Sequence, residues 1–544
     1  MTSLTNDTKS SGIWLKSTSS LSMSLISDSL SFSIDSIPPE LRGDPYALRH
    51  SFTLDPSTMD EQKAYHCYGL EQDGALRPGG QISLFTRRTI GLLLNYFAIG
   101  AMFGGMNSAI VPFLRKYLLL EQYQVKASGV PEVGNSREAW RYVLLMTIGT
   151  IGYFLASVAA DGMMVEVAQR EPLMTRGHTQ MSISVARTAG SLFMSLFVSG
   201  TLNGLEYGGS FSWSLSLNQI MFAFAAFALI PLVGSIWCLH EDFAVQRALV
   251  FSCSDIVSCS AAPPNTTSLN PPLNFSDRCQ LVWRLIRSRI MWQLLVFELI
   301  SSFCLTINSS AKPAIEEIWI GVGAWPNALG TAVWSVAFIG GLFMTRCFFM
   351  HSGWRRLYCA AILWMVGVDV VMVTCTISDV MRNCNFWMYM QVLAAPAVGM
   401  RFLVQILPII ELAPRGIEGT AYGLVITFRY IAIPLGTTTF KVIGSYFSIS
   451  DEDVHRDSDS TRLQIAYTYL IAWAFQLMSL AFIGLFPCQK LAIQHLRYHG
   501  GYSTLAGWLV VIVMFCALIY ATTVSILLLS KSTSCLRMAG GSGC

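Results

Sequence analysis

Charged residues are scarce in this sequence. Only 13% of its 544 residues are Asp, Glu, Lys or Arg, whereas 53% are hydrophobic. In soluble globular proteins about 25% of all residues are charged. The shortage of charged residues here therefore excludes a soluble globular enzyme. The net charge of +3 is also too small to indicate a nucleic-acid partner.

Motifs for metal binding and catalysis are missing as well. The fourteen cysteines are scattered, and Cys253, Cys259 and Cys279 lie in a polar segment without a histidine motif. We interpret the cysteines as free thiols in a reducing compartment and expect no metal site. Because the chain has no P-loop, HExxH or GxSxG, we expect no enzymatic activity and no cofactor.

The sequence is instead rich in long apolar runs. A run of about 18 apolar residues is long enough to cross the hydrocarbon core of a bilayer as a helix. The chain has eleven such candidates, which predict an all-α polytopic membrane protein. The predicted spans are 90–113, 142–164, 187–205, 217–239, 290–310, 327–346, 357–377, 385–407, 418–446, 463–487 and 503–530.

Polar segments divide these spans into groups. Residues 1–85 are Ser-rich and lack the apolar core and cleavage site of a signal peptide, so we predict a disordered cytosolic tail. Residues 240–289 include SAAPPNTTSLNPPLNFSDR, which is typical of a flexible loop. This loop separates a four-span bundle over 86–239 from a six-span bundle over 290–490. Residues 491–544 then supply one extra span and a tail.

Basic residues indicate the orientation of the chain. Lys and Arg collect in alternate loops, and the rule that cytosolic loops are positive puts the N-terminus in the cytosol. The loop at 240–289 is then cytosolic, and the loop at 206–218, which has no basic residue, is outside. The segment 115–141, with five basic residues, is an exception on the outer side.

A group of charges stands at the cytosolic end of the second span, in ADGMMVEVAQREPLMTRGHTQ (160–180). An acid such as Asp161 at a membrane-buried helix end is costly unless it is paired, and Arg187 could reach it from the next span. Glu166 and Arg170 have the i,i+4 spacing of an ion pair on one helix face. We predict that these charges hold one gate of an alternating-access protein closed. The alternative is simple anchoring of the helix end.

Five polar residues lie inside later spans, where such residues are expensive and often functional. Glu298 and Asp369 are acidic, Arg401 and Arg429 are basic, and Gln405 lies one helical turn after Arg401. We predict that they line a substrate site. The alternative for each of them is a structural pair between helices.

Several blocks resemble one transporter family. The stretch at 160–180, LNGLEYGGSFSWSLSLNQIM at 202–221 and IIELAPRGIEGTAYGLVITF at 409–428 resemble the folate–biopterin transporter family of the major facilitator superfamily, and 95–124 resembles its first span. The resemblance implies a major-facilitator-like helical bundle. It also implies a secondary transporter in the bilayer that carries folate or pterins by alternating access.

The resemblance assigns roles to the polar residues inside the spans. A pterin has a ring N–H beside an amine, which suits a carboxylate such as Glu298 or Asp369. The glutamate tail of folate suits the guanidinium of Arg401 or Arg429. Either carboxylate could instead carry a coupling proton.

The chain departs from the family after its first span. Family members have two more spans at this point, whereas only the polar stretch QVKASGVPEVGNSREA separates Tyr123 from Trp140. The N-terminal bundle therefore has four predicted helices where the superfamily has six. This departure leaves open a non-transporting membrane scaffold derived from a truncated carrier. A carrier of another small organic solute is a further alternative, because a fold alone does not fix a function.

The predicted orientation can be tested with a reporter inserted in the 240–289 loop. We expect the reporter to be cytosolic and the glycosylation sequons at Asn265 and Asn274 to stay unmodified. A matched fusion in 206–218 should report the opposite side. A glycan on either asparagine would contradict the orientation.

Overall fold

The computed structural model describes residues 74–77, 80, 83, 85–118, 136–204, 211–238, 274–322, 324–447, 449 and 451–529. Within these ranges, eleven helices are long and apolar enough to cross a membrane. This confirms the predicted class, an all-α polytopic membrane protein, and the predicted number of spans. Helices suit this setting because they satisfy their own backbone hydrogen bonds without water.

The helices are numbered here in chain order. The first four are spans: α1 Arg87–Leu118, α2 Ser136–Gln169, α3 His178–Thr201 and α4 Leu217–Cys238. They are followed by α5 Phe275–Arg287, α6 Arg289–Thr306, α7 Ala324–Met344, α8 Trp354–Ile377, α9 Cys384–Leu412, α10 Glu418–Gly444, α11 Asp451–Arg456, α12 Asp459–Met478, α13 Lys490–His499 and α14 Thr504–Leu529. Of these, α5, α11 and α13 are too short to span.

Helices α1 and α3 pack with their backbones in close contact. A Cβ atom on Gly100 would lie 1.9 Å from the carbonyl oxygen of Arg187, and one on Gly190 would lie 1.9 Å from that of Phe97. Small residues at such crossings let membrane helices approach closely. Any larger residue at either glycine would therefore push the two helices apart.

The first half of the protein (α1–α4) meets the second half (α6–α13) at a similar crossing. Gly162 of α2 faces Gly419 of α10, and a Cβ atom on Gly162 would lie 3.4 Å from the Cα of Gly419. Both glycines belong to the sequence blocks that resemble the transporter family. The crossing brings those two blocks together.

The second half is tied together at the ends of α8 and α12. Asp457 accepts hydrogen bonds from Arg382 Nη1 (2.6 Å) and Arg462 Nη2 (2.6 Å), and the two arginines hold the pKa of Asp457 well below its usual range. The Arg382 guanidinium also lies over the ring of Trp319, 4.0 Å from its centroid. These contacts fix the loops at this end of the half.

Two sequence predictions differ from the structure. Part of the segment expected to be a flexible loop is the amphipathic helix α5, whose start is fixed by a hydrogen bond from Asn274 N to Asp277 Oδ2 (3.3 Å). Residues 240–273 lie outside the described part of the chain. Residues 74–77, expected to belong to a disordered tail, include the buried side chains of Ala75 and Arg77. Residues 1–73 also lie outside the described ranges.

Candidate functional site

The loop between α2 and α3 is organised by one buried carboxylate. Glu171 accepts hydrogen bonds from Gly177 N (2.8 Å), His178 N (3.1 Å) and Thr179 N (2.8 Å), the first turn of α3. A carboxylate is favoured at a helix N-terminus because it satisfies free N–H groups and opposes the helix dipole. Gly177 has φ 113°, a conformation that favours glycine. These contacts hold the loop in the conformation that presents Arg176.

Arg176 makes a buried ion pair with the other half of the protein. Its Nη1 lies 2.7 and 2.8 Å from the two carboxylate oxygens of Glu411 at the end of α9, and both side chains are 1% exposed. Gln494 Nε2 donates to the same carboxylate (2.9 Å), and Arg176 Nη2 donates to the Gly74 carbonyl. Such hydrogen bonds are needed to offset the cost of removing both charges from water.

Further hydrogen bonds join the halves around this pair. Gln169 Nε2 donates to the carbonyls of Ile410 and Ala413, at 2.9 Å each. Lys490 Nζ donates to the Leu173 carbonyl at 2.6 Å, and burial lowers the pKa of Lys490 from its ordinary value of 10.5 to about 8. We call Gln169, Arg176, Glu411, Lys490 and Gln494 the lock.

A segment before the first span also bridges the halves. Residues Gly74–Arg77, here called the strap, lie against the lock. Leu76 N donates to the carbonyl of Gln169 (3.0 Å), and Arg77 Nε donates to its side-chain oxygen (2.8 Å). Arg77 also forms an ion pair with Glu418, at the start of α10. The strap thus contacts the end of α2 in one half and the start of α10 in the other.

The predicted ion pair between Asp161 and Arg187 is not formed in the described structure. Asp161 is buried and accepts hydrogen bonds from Tyr96 Oη (2.5 Å) and Ser157 Oγ (3.5 Å). No ion pair joins Asp161 to Arg187 in the described structure, although the arginine is close enough to act on it through its charge. Hydroxyl groups from α1 and from α2 itself occupy the positions that the arginine was expected to take.

The predicted pair of Glu166 and Arg170 is confirmed. Arg170 Nη2 lies 2.7 Å from Glu166 Oε1, as the i,i+4 spacing requires. The same carboxylate oxygen lies 3.6 Å from Arg88 and 4.0 Å from Arg77. Glu166 is therefore the centre of a network of charges beside the strap. The gating role of these residues stays a prediction.

Four of the five predicted substrate-site residues form one cluster. Arg429 Nε lies 3.0 Å from Glu298 Oε2, and Gln405 Nε2 lies 3.4 Å from the same oxygen. Arg401 Nη1 donates to Gln405 Oε1 at 3.2 Å. The cluster joins α6, α9 and α10 inside the second half, and Glu298 is fully buried.

Some buried atoms of this cluster lack partners. Glu298 Oε1, Arg401 Nε and Arg429 Nη2 have no hydrogen-bond partner in the structure. Buried polar atoms are nearly always satisfied, so unpartnered ones need an explanation such as a ligand or ordered water. One free acceptor and two free donors can recognise a molecule that has a hydrogen-bond donor and an anionic group.

Asp369 does not join this cluster. Its Oδ2 accepts a hydrogen bond from Trp473 Nε1 at 2.7 Å, and no contact to Glu298, Arg401 or Arg429 is present among the described residues. Because Asp369 lies on α8 and Trp473 lies on α12, this hydrogen bond joins the two helices. This contact matches the alternative interpretation, a structural pair between helices, and the substrate role of Asp369 stays a prediction.

Sequence reasoning missed the ion pair of the lock. Neither Arg176 nor Glu411 was among the predicted site residues, and the structure shows that they bind each other. The two paired residues are separated by 235 positions, and neither lies in the middle of a span. The signal that could have found them is that both stand inside blocks that resemble the same transporter family.

No protein-family model matches the chain, and no curated protein matches it. Among solved structures, the proton:xylose symporter XylE bound to 6-bromo-6-deoxy-D-glucose has 14% identity and a TM-score of 0.45, over 75% of this chain and 88% of that one. The major facilitator superfamily transporter FucP in the outward conformation has 13% identity and a TM-score of 0.32, over 73% and 91%. At these values the likeness carries no argument for function.

The energetic importance of the lock can be tested on its ion pair. Arg176→Gln and Glu411→Gln should each destabilise the full-length protein by about 3–5 kcal/mol, because each leaves one buried charge unpaired. The double variant should lose less than the sum of the two. The measurement is the thermal unfolding midpoint of the purified protein.

The exposed pair of Glu452 and Arg456 provides the control. Its atoms lie 3.8 Å apart with side chains 85% and 73% exposed, so its removal should change the midpoint little. Strict additivity of the two lock substitutions would contradict the coupling.

Proposed function

We propose that this chain is a secondary transporter of the major facilitator type that carries folate or pterin compounds by alternating access. The observation that carries the proposal is the cluster of Glu298, Gln405, Arg401 and Arg429 at membrane depth. Polar side chains at this depth are costly, and the three unpartnered atoms among them favour a ligand. The family resemblance supplies the substrate class.

The free atoms of the cluster suit the two ends of folate. Glu298 Oε1 can accept a hydrogen bond from the ring N–H or amine of a pterin. Arg401 Nε and Arg429 Nη2 can donate to a carboxylate of the glutamate tail. Arg429 also neutralises Glu298, so the cluster carries one net positive charge, which favours an anionic ligand. An alternative role for Glu298 is to carry a coupling proton.

The lock supports a mechanism in which the halves move. The bonds from Arg176 and Gln169 cross from the first half to the second and close the protein at the predicted cytosolic end. Alternating access requires such contacts to form in one state and break in another. At the other end, the contact between Phe211 and Trp325 is aromatic, with ring centroids 5.3 Å apart. The cytosolic position of the N-terminus is part of this proposal.

A non-transporting scaffold is the second candidate. The observation in its favour is that the described first half has four spans, α1–α4, where the superfamily has six. A carrier of another small solute is the third, because a fold does not determine a substrate. Uptake of labelled folate in a transport-deficient host separates the scaffold from the carriers, and a panel of competing solutes separates the carriers from each other.

The substrate site can be tested with Arg401→Lys. This variant keeps the charge but loses the planar guanidinium, so folate uptake or binding should fall about tenfold. A pterin without the glutamate tail should be nearly unaffected. Arg356→Lys, at an exposed position far along the chain from the cluster, is the matched control. Equal losses for folate and pterin would mean that Arg401 is structural.

A further inference from the structure

The end of the short helix α5 meets the segment before α14, at the point where the spans α6 and α14 begin. Ser503 N donates to the Arg287 carbonyl (2.9 Å), and Arg289 N donates to the Gly501 carbonyl (3.2 Å). Ser288 and Tyr502 form an antiparallel bridge. Because α6 begins at Arg289 and α14 at Thr504, this junction lies where both helices enter the membrane.

Helix α5 has the composition of a helix that lies on a membrane surface. Leu285 and Ile286 are buried against the core, whereas Arg278 and Arg284 are exposed. Helices with one apolar and one basic face lie in the interface, where the basic face attracts anionic lipids. The position of α5 at the membrane boundary agrees with this composition.

One face of α5 packs against α14, and the line of contact between the two helices is here called the groove. Trp283 and Arg287, one helical turn apart, point at that helix: a Cβ atom on Gly507 would lie 2.9 Å from Cγ of Arg287 and 3.4 Å from the Trp283 ring. The rings of Trp283 and Trp508 are 4.9 Å apart. Arg287 Nε is buried and has no hydrogen-bond partner in the structure.

Arginine residues lie next to this groove. Arg284, Arg287 and Arg289 make no ion pair within the described part of the chain. The acid within α5, Asp277, lies at the far end of the helix and accepts a hydrogen bond from Asn274 N. Residues 490–529 contain no Asp or Glu. Three arginines therefore lie close together in the chain without an ion-pair partner among the described residues.

We propose that this groove binds the phosphate headgroup of an anionic phospholipid. We define the groove by Trp283, Arg284, Arg287, Arg289 and Trp508. Arginine binds phosphate with paired N–H donors, and tryptophan favours the interface. A lipid fits better than free phosphate because α14 continues the groove with apolar side chains that are largely exposed, such as Leu505 (79%) and Ile512 (56%), against which acyl chains can pack. This inference goes beyond the proposed transport function and does not depend on it.

The test is native mass spectrometry of the full-length protein released from neutral detergent after incubation with phosphatidylserine or phosphatidylcholine. The wild type should retain phosphatidylserine in preference to phosphatidylcholine. Arg284→Gln should weaken that retention about fivefold, since each arginine near an anionic surface contributes about that factor. Arg284 is exposed and makes no described side-chain contact, so its substitution should leave the fold intact. Arg284→Gln with Arg287→Gln should weaken retention further.

Arg356→Gln is the matched control, because it removes an exposed charge on the same predicted side and should leave lipid retention unchanged. Equal retention of the two lipids by the wild type would overturn the proposal, as would unchanged retention in the double variant. A parallel incubation with inorganic phosphate identifies the source of the anion. If phosphate alone displaces phosphatidylserine at millimolar concentration, the groove binds free phosphate and the assignment to lipid is wrong.

Discussion

The buried ion pair between Arg176 and Glu411 is the contact on which the arrangement of the two halves depends. Each charge has lost its water, so each relies on the other and on a few hydrogen bonds, including one from Gln494. A pair of this kind is stabilising only while its geometry is kept. In the proposed transport cycle, separation of the halves at this end requires this pair to break.

Two of the sequence blocks that resemble a transporter family come together in this region. The block at 160–180 supplies Gly162 and Arg176, and the block at 409–428 supplies Glu411 and Gly419. The glycines let α2 and α10 approach, and the charged residues fasten their ends. Motifs that look unrelated in the sequence thus form one surface, and this gives a physical reason for their residue types.

Much of the fold could be predicted because a bilayer imposes length and apolarity on each span. The Glu166–Arg170 pair was predictable for a similar reason, since local helix spacing determines it. Contacts between distant segments were not: periodicity does not encode that Tyr96 rather than Arg187 would bind Asp161. Helix α5 was missed because Pro and Asn clusters precede it, and its amphipathic pattern covers only 13 residues.

The central claim is that the two halves separate at the lock during transport. A distance measurement across the lock tests this claim most directly. Spin labels carried by unnatural amino acids at Met174 and His351, both exposed and on opposite halves, would leave the fourteen native cysteines untouched. Electron paramagnetic resonance of the protein in lipid should show both a short and a long distance between the labels. The populations of the two distances should change when folate is added. In Arg176→Gln the population with the long distance should be larger. A single distance that neither folate nor the substitution changes would contradict an alternating-access mechanism.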